Sequence, residues 1–162
     1  GLLGTIPPEI GDLISLRGLN LWCQGISGTI PPEIGNLIHL EGLFLGSNLI
    51  GSIPPEIGNL TNLSMLALNG NNLTGTIPSE IGNLTSLTKL DLFRNNLTGV
   101  IPPEIGNLIN LNHLNLHHNN LEGIIPVSIC NLNSFDITDN NLCPPYPSCI
   151  DNVGNQDTSD CN

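Results

Sequence analysis

The sequence predicts a solenoid of stacked coils, each with one short strand and one short helical segment, closed at its C-terminal end by a cysteine-bearing cap. Three observations predict it. Residues 7–13 read Pro-Pro-Glu-Ile-Gly-Asp-Leu, and this string or a close variant returns at 31–37, 54–60, 78–84 and 102–108. Between the copies runs an L-x-x-L-x-L core, as in Leu87, Leu90 and Leu92, whose alternation is that of a short strand. Four cysteines, Cys130, Cys143, Cys149 and Cys161, crowd the end of the chain where the repeat fades.

Composition narrows the alternatives. The 162 residues fit one domain on length alone. Hydrophobic residues make up 39%, aromatics 3% and charged residues 10%, with 18 glycines and 13 prolines. That is too apolar for a disordered acidic segment and too rich in turn formers for a helix bundle. No apolar run reaches the ~18 residues of a membrane span, so no membrane insertion is expected. The formal charge is -11 with three Lys and Arg, which argues against nucleic acid and anionic membrane surfaces.

In register, repeats begin at Leu16, Leu40, Leu63, Leu87, Leu111 and Leu132, at spacings of 24, 23, 24, 24 and 21. Each reads L-x-x-L-x-L-x-x-N-x-L-x-G-x-I-P-x-E-I-G-N-L with small lapses. After the strand, Asn95 falls where the chain must turn. A buried Asn there can bond backbone groups of neighbouring coils. Asn48, Asn71, Asn119 and Asn140 share the position and should form a ladder, which Gln24 breaks in the first repeat. The 23-residue repeat lacks one residue, placed between Asn48 and Gly51. Leu97 points inward again, and Gly99 permits a tight bend. Pro102, Glu104 and Ile105 suit the first turn of a short helical or 3₁₀ segment, with Pro at its start and Glu facing the positive helix end. Gly106 should end it. One coil cannot bury its leucines alone, but a stack can.

These motifs resemble the plant-type extracellular leucine-rich repeat, with its L-T-G-x-I-P insertion, the type of polygalacturonase-inhibiting proteins and receptor-kinase ectodomains. The resemblance covers residues 1–142. It implies an α/β solenoid, a right-handed superhelix with a parallel sheet on the concave side. A second short sheet should run near the L-T-G-x-I-P segments, with 3₁₀ turns on the convex side. Gly4 aligns with Gly28, so residues 1–15 read as the second half of a coil whose strand is missing. The expectation is a processed or truncated chain, since solenoids need capping repeats. The alternative is a partner docked on the bare edge.

Residues 143–162 leave the repeat and read as a cap. Its four cysteines suit two disulfides and an oxidising compartment. Three pairings are open; counting along the coil favours Cys130–Cys149 with Cys143–Cys161. A zinc site is the alternative, but the spacing fits no common finger. Cys23 is left over as a free thiol. N-x-S/T sequons stand at Asn59, Asn62, Asn72, Asn83 and Asn96. The repeat writes N-L-T by itself, so they arise without selection for glycans. With the cysteines they favour an extracellular, secreted protein.

No catalytic constellation stands out: there is no P-loop, G-x-S-x-G, H-E-x-x-H or G-x-G-x-x-G. No enzyme and no cofactor are expected. Glu9, Glu33, Glu56, Glu80 and Glu104 form a stacked row that the helix dipole already explains. Asp136 and Asp139 resemble a fragment of a calcium loop without its remainder.

The outward strand positions tell more. They hold Arg17, Lys89 and Arg94, three of the four histidines (His113, His117, His118), and Trp22, Phe44 and Phe93. Exposed aromatics and Arg on a sheet are what recognition surfaces use. Neighbouring strands should set Lys89 between Met65 and His113, Phe93 beside His117, and Arg94 beside His118, with Asp91 on the same face. Trp22 and Phe44 should form a second, apolar patch, with Gly18, Gly42 and Gly46 leaving room for the rings. His113 and His117 lie ~13 Å apart along a strand, too far for one ion. His117 or His118 with Asp139 is the nearest approach to a metal pair, and no metal is expected. The sequence therefore reads as a secreted, non-enzymatic module that binds a protein or peptide on its concave sheet. The rival readings are glycan or cell-wall binding and adhesion to a regular surface, ice included. The small polar residues Thr74, Thr76, Thr98, Ser27, Thr29 and Ser52 offer a weak version of the last.

Overall fold

A computed structural model of the chain describes residues 4–22, 25–46, 48–159 and 161. Six three-residue strands, Gly18–Asn20, Gly42–Phe44, Met65–Ala67, Lys89–Asp91, His113–Asn115 and Ser134–Asp136, pair in parallel in chain order. Register is strict: Leu43, Leu66, Leu90 and Leu114 are cross-strand partners and all are fully buried. Their neighbours along each strand face outward, as the two-residue side-chain period requires. Six 3₁₀ segments, Pro8–Asp12, Pro32–Asn36, Pro55–Asn59, Ser79–Asn83, Pro103–Asn107 and Val127–Asn131, line the opposite side. Between the two rows lies one continuous core of leucines and isoleucines.

The 3₁₀ segments stack closely. A Cβ on Gly82 would lie 2.7 Å from both the Cβ and the carbonyl oxygen of Glu104 in the next coil. Segments end at the Asn after this glycine, so the glycine serves close approach and not termination. At Gly99, by contrast, φ is 72° and the Cβ position is filled by Thr76 Cγ2 at 2.9 Å. That bend does need glycine.

The second sheet is in two pieces. One joins Gly4–Thr5, Ile26–Gly28, Asn48–Gly51 and Asn72–Leu73; the other joins Thr98–Val100, Asn120–Ile124 and Asn141–Cys143. Hydrogen bonds from the Asn96 N–H to Leu73 O and from the Thr98 N–H to Gly75 O, both 2.8 Å, stitch them together.

The asparagine ladder runs through Asn71, Asn95, Asn119 and Asn140, all buried. Asn95 Nδ2 donates to Leu68 O of the preceding coil and to Leu92 O of its own, both at 3.0 Å. Its Oδ1 accepts the Leu73 N–H at 3.1 Å. Asn48 is not a member. It is exposed and pairs with Ser27, in the place Asn72 and Asn120 take in their own coils. The missing residue of that repeat thus falls before Asn48, between the buried Leu45 and Leu49, and not after it. Gln24 and Cys23 lie outside the described residues.

At the other end the cap adds a rung the repeat pattern hides. Gln156 Nε2 donates to Ile137 O (3.1 Å) and Val153 O (2.7 Å), and its Oε1 accepts the Leu142 N–H at 2.9 Å. A glutamine at the end of Val153-x-x-Gln156 thus repeats the asparagine pattern. Disulfides Cys130–Cys149 and Cys143–Cys161, each with Cα atoms 5.6 Å apart, tie the cap to the last coils. No helix among the described residues is long and apolar enough to cross a membrane.

Candidate ligand-binding face

The outward side of the six-stranded sheet gathers the unusual residues. Met65, Lys89 and His113 lie side by side on three adjacent strands. Met65 is exposed, while Lys89 and His113 are half-buried. Lys89 Nζ stands 3.8 Å from Asp91 Oδ2. Asp91 is turned toward its own chain: its Oδ1 accepts the Phe93 N–H at 3.5 Å. Asn20, Asn115 and Asp136 do the same for the N–H groups of Trp22, His117 and Thr138. An Asx turn therefore lifts the side chain two residues past the strand in four coils. Sequence spacing places Asp91 on this face but does not reveal that it positions Phe93.

Three residues past the strand the chain enters the left-handed region in four consecutive coils, at Gly70 (φ 67°), where Ala67 makes no Asx turn, and at Arg94 (54°), His118 (58°) and Asp139 (52°). Backbone bonds run coil to coil along this column: Gly70 N–H to Phe93 O, Arg94 N–H to His117 O, His118 N–H to Thr138 O. The result is a compact stack. The Arg94 guanidinium carbon lies 5.5 Å from the Phe93 ring centroid. Phe93 and His117 stack with centroids 6.3 Å apart and planes 20° apart, and His118 follows at 5.7 Å. Arg17 is paired with Glu41. Among the described residues no carboxylate pairs with Arg94.

Trp22 and Phe44 lie on the first two strands' coils at the other end of the sheet, each ring beside a glycine. A Cβ on Gly46 would sit 2.7 Å from Trp22 Cε3, and one on Gly42 would sit 3.0 Å from Phe44 Cε2. Those two glycines make room for rings. Gly18 does not, since nothing lies within 4 Å of its Cβ position. The sequons Asn59, Asn62, Asn72, Asn83 and Asn96 are all exposed, and Asn96 lines a hollow with His118 and Asp139. Asn62 Nδ2 is engaged with Ile38 O at 2.7 Å.

Comparison with known proteins agrees with this architecture. The model of the leucine-rich repeat region matches residues 7–133. The ectodomain of the Arabidopsis thaliana receptor kinase GASSHO1/SCHENGEN3, solved in complex with CASPARIAN STRIP INTEGRITY FACTOR 2, is 39% identical with a TM-score of 0.83. The match covers 88% of this chain and 18% of that one. The plant peptide hormone receptor RGFR1, in complex with RGF2, is 41% identical with a TM-score of 0.81, over 86% of this chain and 23% of the receptor. A plant ice-binding protein is 37% identical with a TM-score of 0.79, over 88% of this chain and 47% of its own. The chain thus spans less than half the length of each of these relatives. No match is found among curated proteins. The fold is typically a non-enzymatic binding scaffold, the GASSHO1/SCHENGEN3 relative is a receptor ectodomain, and the two disulfides suit an oxidising environment. By its repeats, its coil geometry and these matches, the chain belongs to the leucine-rich repeat family.

Proposed function

We propose that the protein is a secreted, non-enzymatic recognition module that binds a protein or peptide on the outward face of its six-stranded sheet. The ligand would span Met65, Lys89, Phe93, Arg94, His113, His117 and His118, with Asp91 positioning Phe93. Trp22 and Phe44 would extend the surface. One observation carries the reading: Arg94 lies against Phe93 without a carboxylate partner among the described residues, in a chain of formal charge -11. A cation left unpaired beside an apolar ring, inside an acidic surround, selects a ligand offering an acidic group next to an apolar one. RGFR1, a plant peptide hormone receptor, was solved in complex with RGF2, which supports the class of ligand. A glycan at Asn96 would border the His118 end of this face, because Asn96 lines the same hollow as His118 and Asp139.

The test is selection from a displayed random-peptide library against the whole chain, followed by titration of the selected peptides. Truncating Phe93 or Arg94 should cost ~2 kcal/mol of binding, as a hot spot does. Glu56→Ala, on the opposite side, should cost nothing measurable. A double variant Phe93→Ala, Arg94→Ala that binds the selected peptides like the parent would remove the assignment. A glycan array scored in parallel decides between peptide and sugar.

A second reading has its own support. The flanking sheets expose the small polar residues Thr5, Ser27, Thr29, Ser52, Thr74, Thr76 and Thr98, with the apolar Ile50 and Val100 exposed among them. The Cγ2 methyls of Thr5, Thr29 and Thr76 lie 2.8–3.0 Å from the Cβ positions of Gly28, Gly51 and Gly99, which keeps that face flat. Together with the likeness to a plant ice-binding protein, this favours adhesion to a regular surface. Thermal hysteresis that survives the Phe93, Arg94 variant and is lost in Thr76→Tyr would support it.

A further inference from the structure

We propose that His117, His118 and Asp139 form a site for a divalent transition metal of the zinc class, at the C-terminal end of the sheet face. This goes beyond peptide recognition and does not depend on it. The spacing of His113 and His117 along one strand points away from a shared ion. The structure uses a different set. A nitrogen of His117, a nitrogen of His118 and a carboxylate oxygen of Asp139 all lie within 4.8 Å of one another. The left-handed backbone at His118 and Asp139 brings them together, since the two residues hold equivalent places in adjacent coils. In a tetrahedral site with bonds of ~2.0–2.1 Å, ligand atoms stand ~3.3 Å apart. The remaining distance is within the reach of rotation of the His118 and Asp139 side chains, which are exposed and half-buried respectively.

Two features prepare His117 for ligation. Its Nδ1 lies 2.8 Å from Thr138 Oγ1, whose single hydroxyl hydrogen is donated to Asp136 Oδ1 at 2.7 Å. The threonine oxygen can then only accept, so in neutral His117 the Nδ1, which also stands 3.8 Å from Asp139 Oδ2, carries the proton and Nε2 keeps its lone pair. An imidazole whose second nitrogen donates into a hydroxyl–carboxylate chain is the usual arrangement behind a metal ligand. Stacking on Phe93 fixes the ring plane as well. Two imidazoles and one carboxylate suit Zn²⁺, Co²⁺, Ni²⁺ or Cu²⁺ and not the all-oxygen preference of Ca²⁺ or Mg²⁺. Three protein ligands leave at least one position open. A hollow of about 320 Å³ bounded by His118 and Asp139 gives that position room.

Titration of the whole, disulfide-intact chain with Zn²⁺ alone, followed by calorimetry, tests this. One equivalent should bind, and His118→Asn and Asp139→Asn should each weaken binding at least tenfold. Both substitutions tolerate the left-handed backbone, so the fold is kept. Thr138→Val, which removes the acceptor behind His117, should weaken it about tenfold. His113→Asn should leave it unchanged. Co²⁺ should give d–d absorption bands that are absent in His118→Asn. Equal affinity in parent and His118→Asn, or no binding below about 1 mM, overturns the site while leaving the peptide reading untouched.

Discussion

Replacing Asn95 by Ala tests the logic of the stack. The side chain makes three hydrogen bonds, but their loss is unequal. Leu68 O keeps a donor in Asn71 Nδ2 at 2.8 Å, and Leu92 O keeps one in Asn119 Nδ2 at 3.1 Å. The Leu73 N–H loses the acceptor it uses. One buried amide is therefore stranded, at ~1–3 kcal/mol, and two shared bonds are lost at ~0.5–1.5 kcal/mol each, partly offset by the donors that remain. The sum is about 2–4 kcal/mol. Asn96→Ala removes an exposed side chain next door; its N–H bond to Leu73 O belongs to the backbone and survives. That variant should stay within about 0.5 kcal/mol of the parent. Equilibrium urea denaturation reads the contrast. With an m-value of ~2 kcal/mol/M, the Asn95 midpoint should fall by about 1–2 M while the Asn96 midpoint holds. Asn95→Asp keeps the acceptor for Leu73 but sets a carboxylate against two carbonyl oxygens, so it should be unstable at neutral pH and recover partly in acid. Matching midpoints for Asn95→Ala and Asn96→Ala would refute the ladder as a source of stability.

Other consequences are equally open to measurement. Thiol titration of denatured, unreduced protein should find one reactive cysteine, Cys23, because Cys130, Cys143, Cys149 and Cys161 are paired; three or more would contradict the cap. Gly82→Ala should cost ~1–3 kcal/mol, since its methyl would overlap Glu104 of the next coil and push two 3₁₀ segments apart; a midpoint equal to the parent's would show that the turns can slide. Near Asp157, the backbone N–H and then the hydroxyl of Ser159 hold the carboxyl below its usual range. A lowered carboxylate pKa contributes stability above the unfolded value that is lost as pH falls through the folded one. Amide exchange of Ser159 should therefore quicken on acidification relative to Leu142, and Asp157→Asn should abolish the difference.

Period, strand core, inward leucines and 3₁₀ turns were legible because the repeat states each of them five or six times. The cysteine pairing was legible because a coil of known period fixes what lies over Cys130. Asn48 was not, since counting asparagines cannot tell whether a missing residue falls before or after one of them; only the pairing with Ser27 does. Gln156 was hidden because its coil carries none of the repeat's leucines, and its longer side chain replaces the expected Asn. On the sheet face, strand register was enough to place Lys89 beside Met65 and His113. The gathering of His117, His118 and Asp139 depends on left-handed backbone at two non-glycine residues, which the side-chain alternation of a strand does not foretell.

The ladder also has a direction. Each asparagine accepts an amide from the coil before it, as Asn119 does from Leu97 and Asn140 from Leu121. Every coil between them therefore relies on its successor, and a whole-coil duplication there would hand each amide to a new acceptor with no bond lost. Gene-level gain or loss of such units can lengthen or shorten the molecule in steps of one coil. The terminal unit is the exception. There Gln156, and not an asparagine, accepts the amide of Leu142, so a coil added between Leu142 and Gln156 would have to supply its own acceptor.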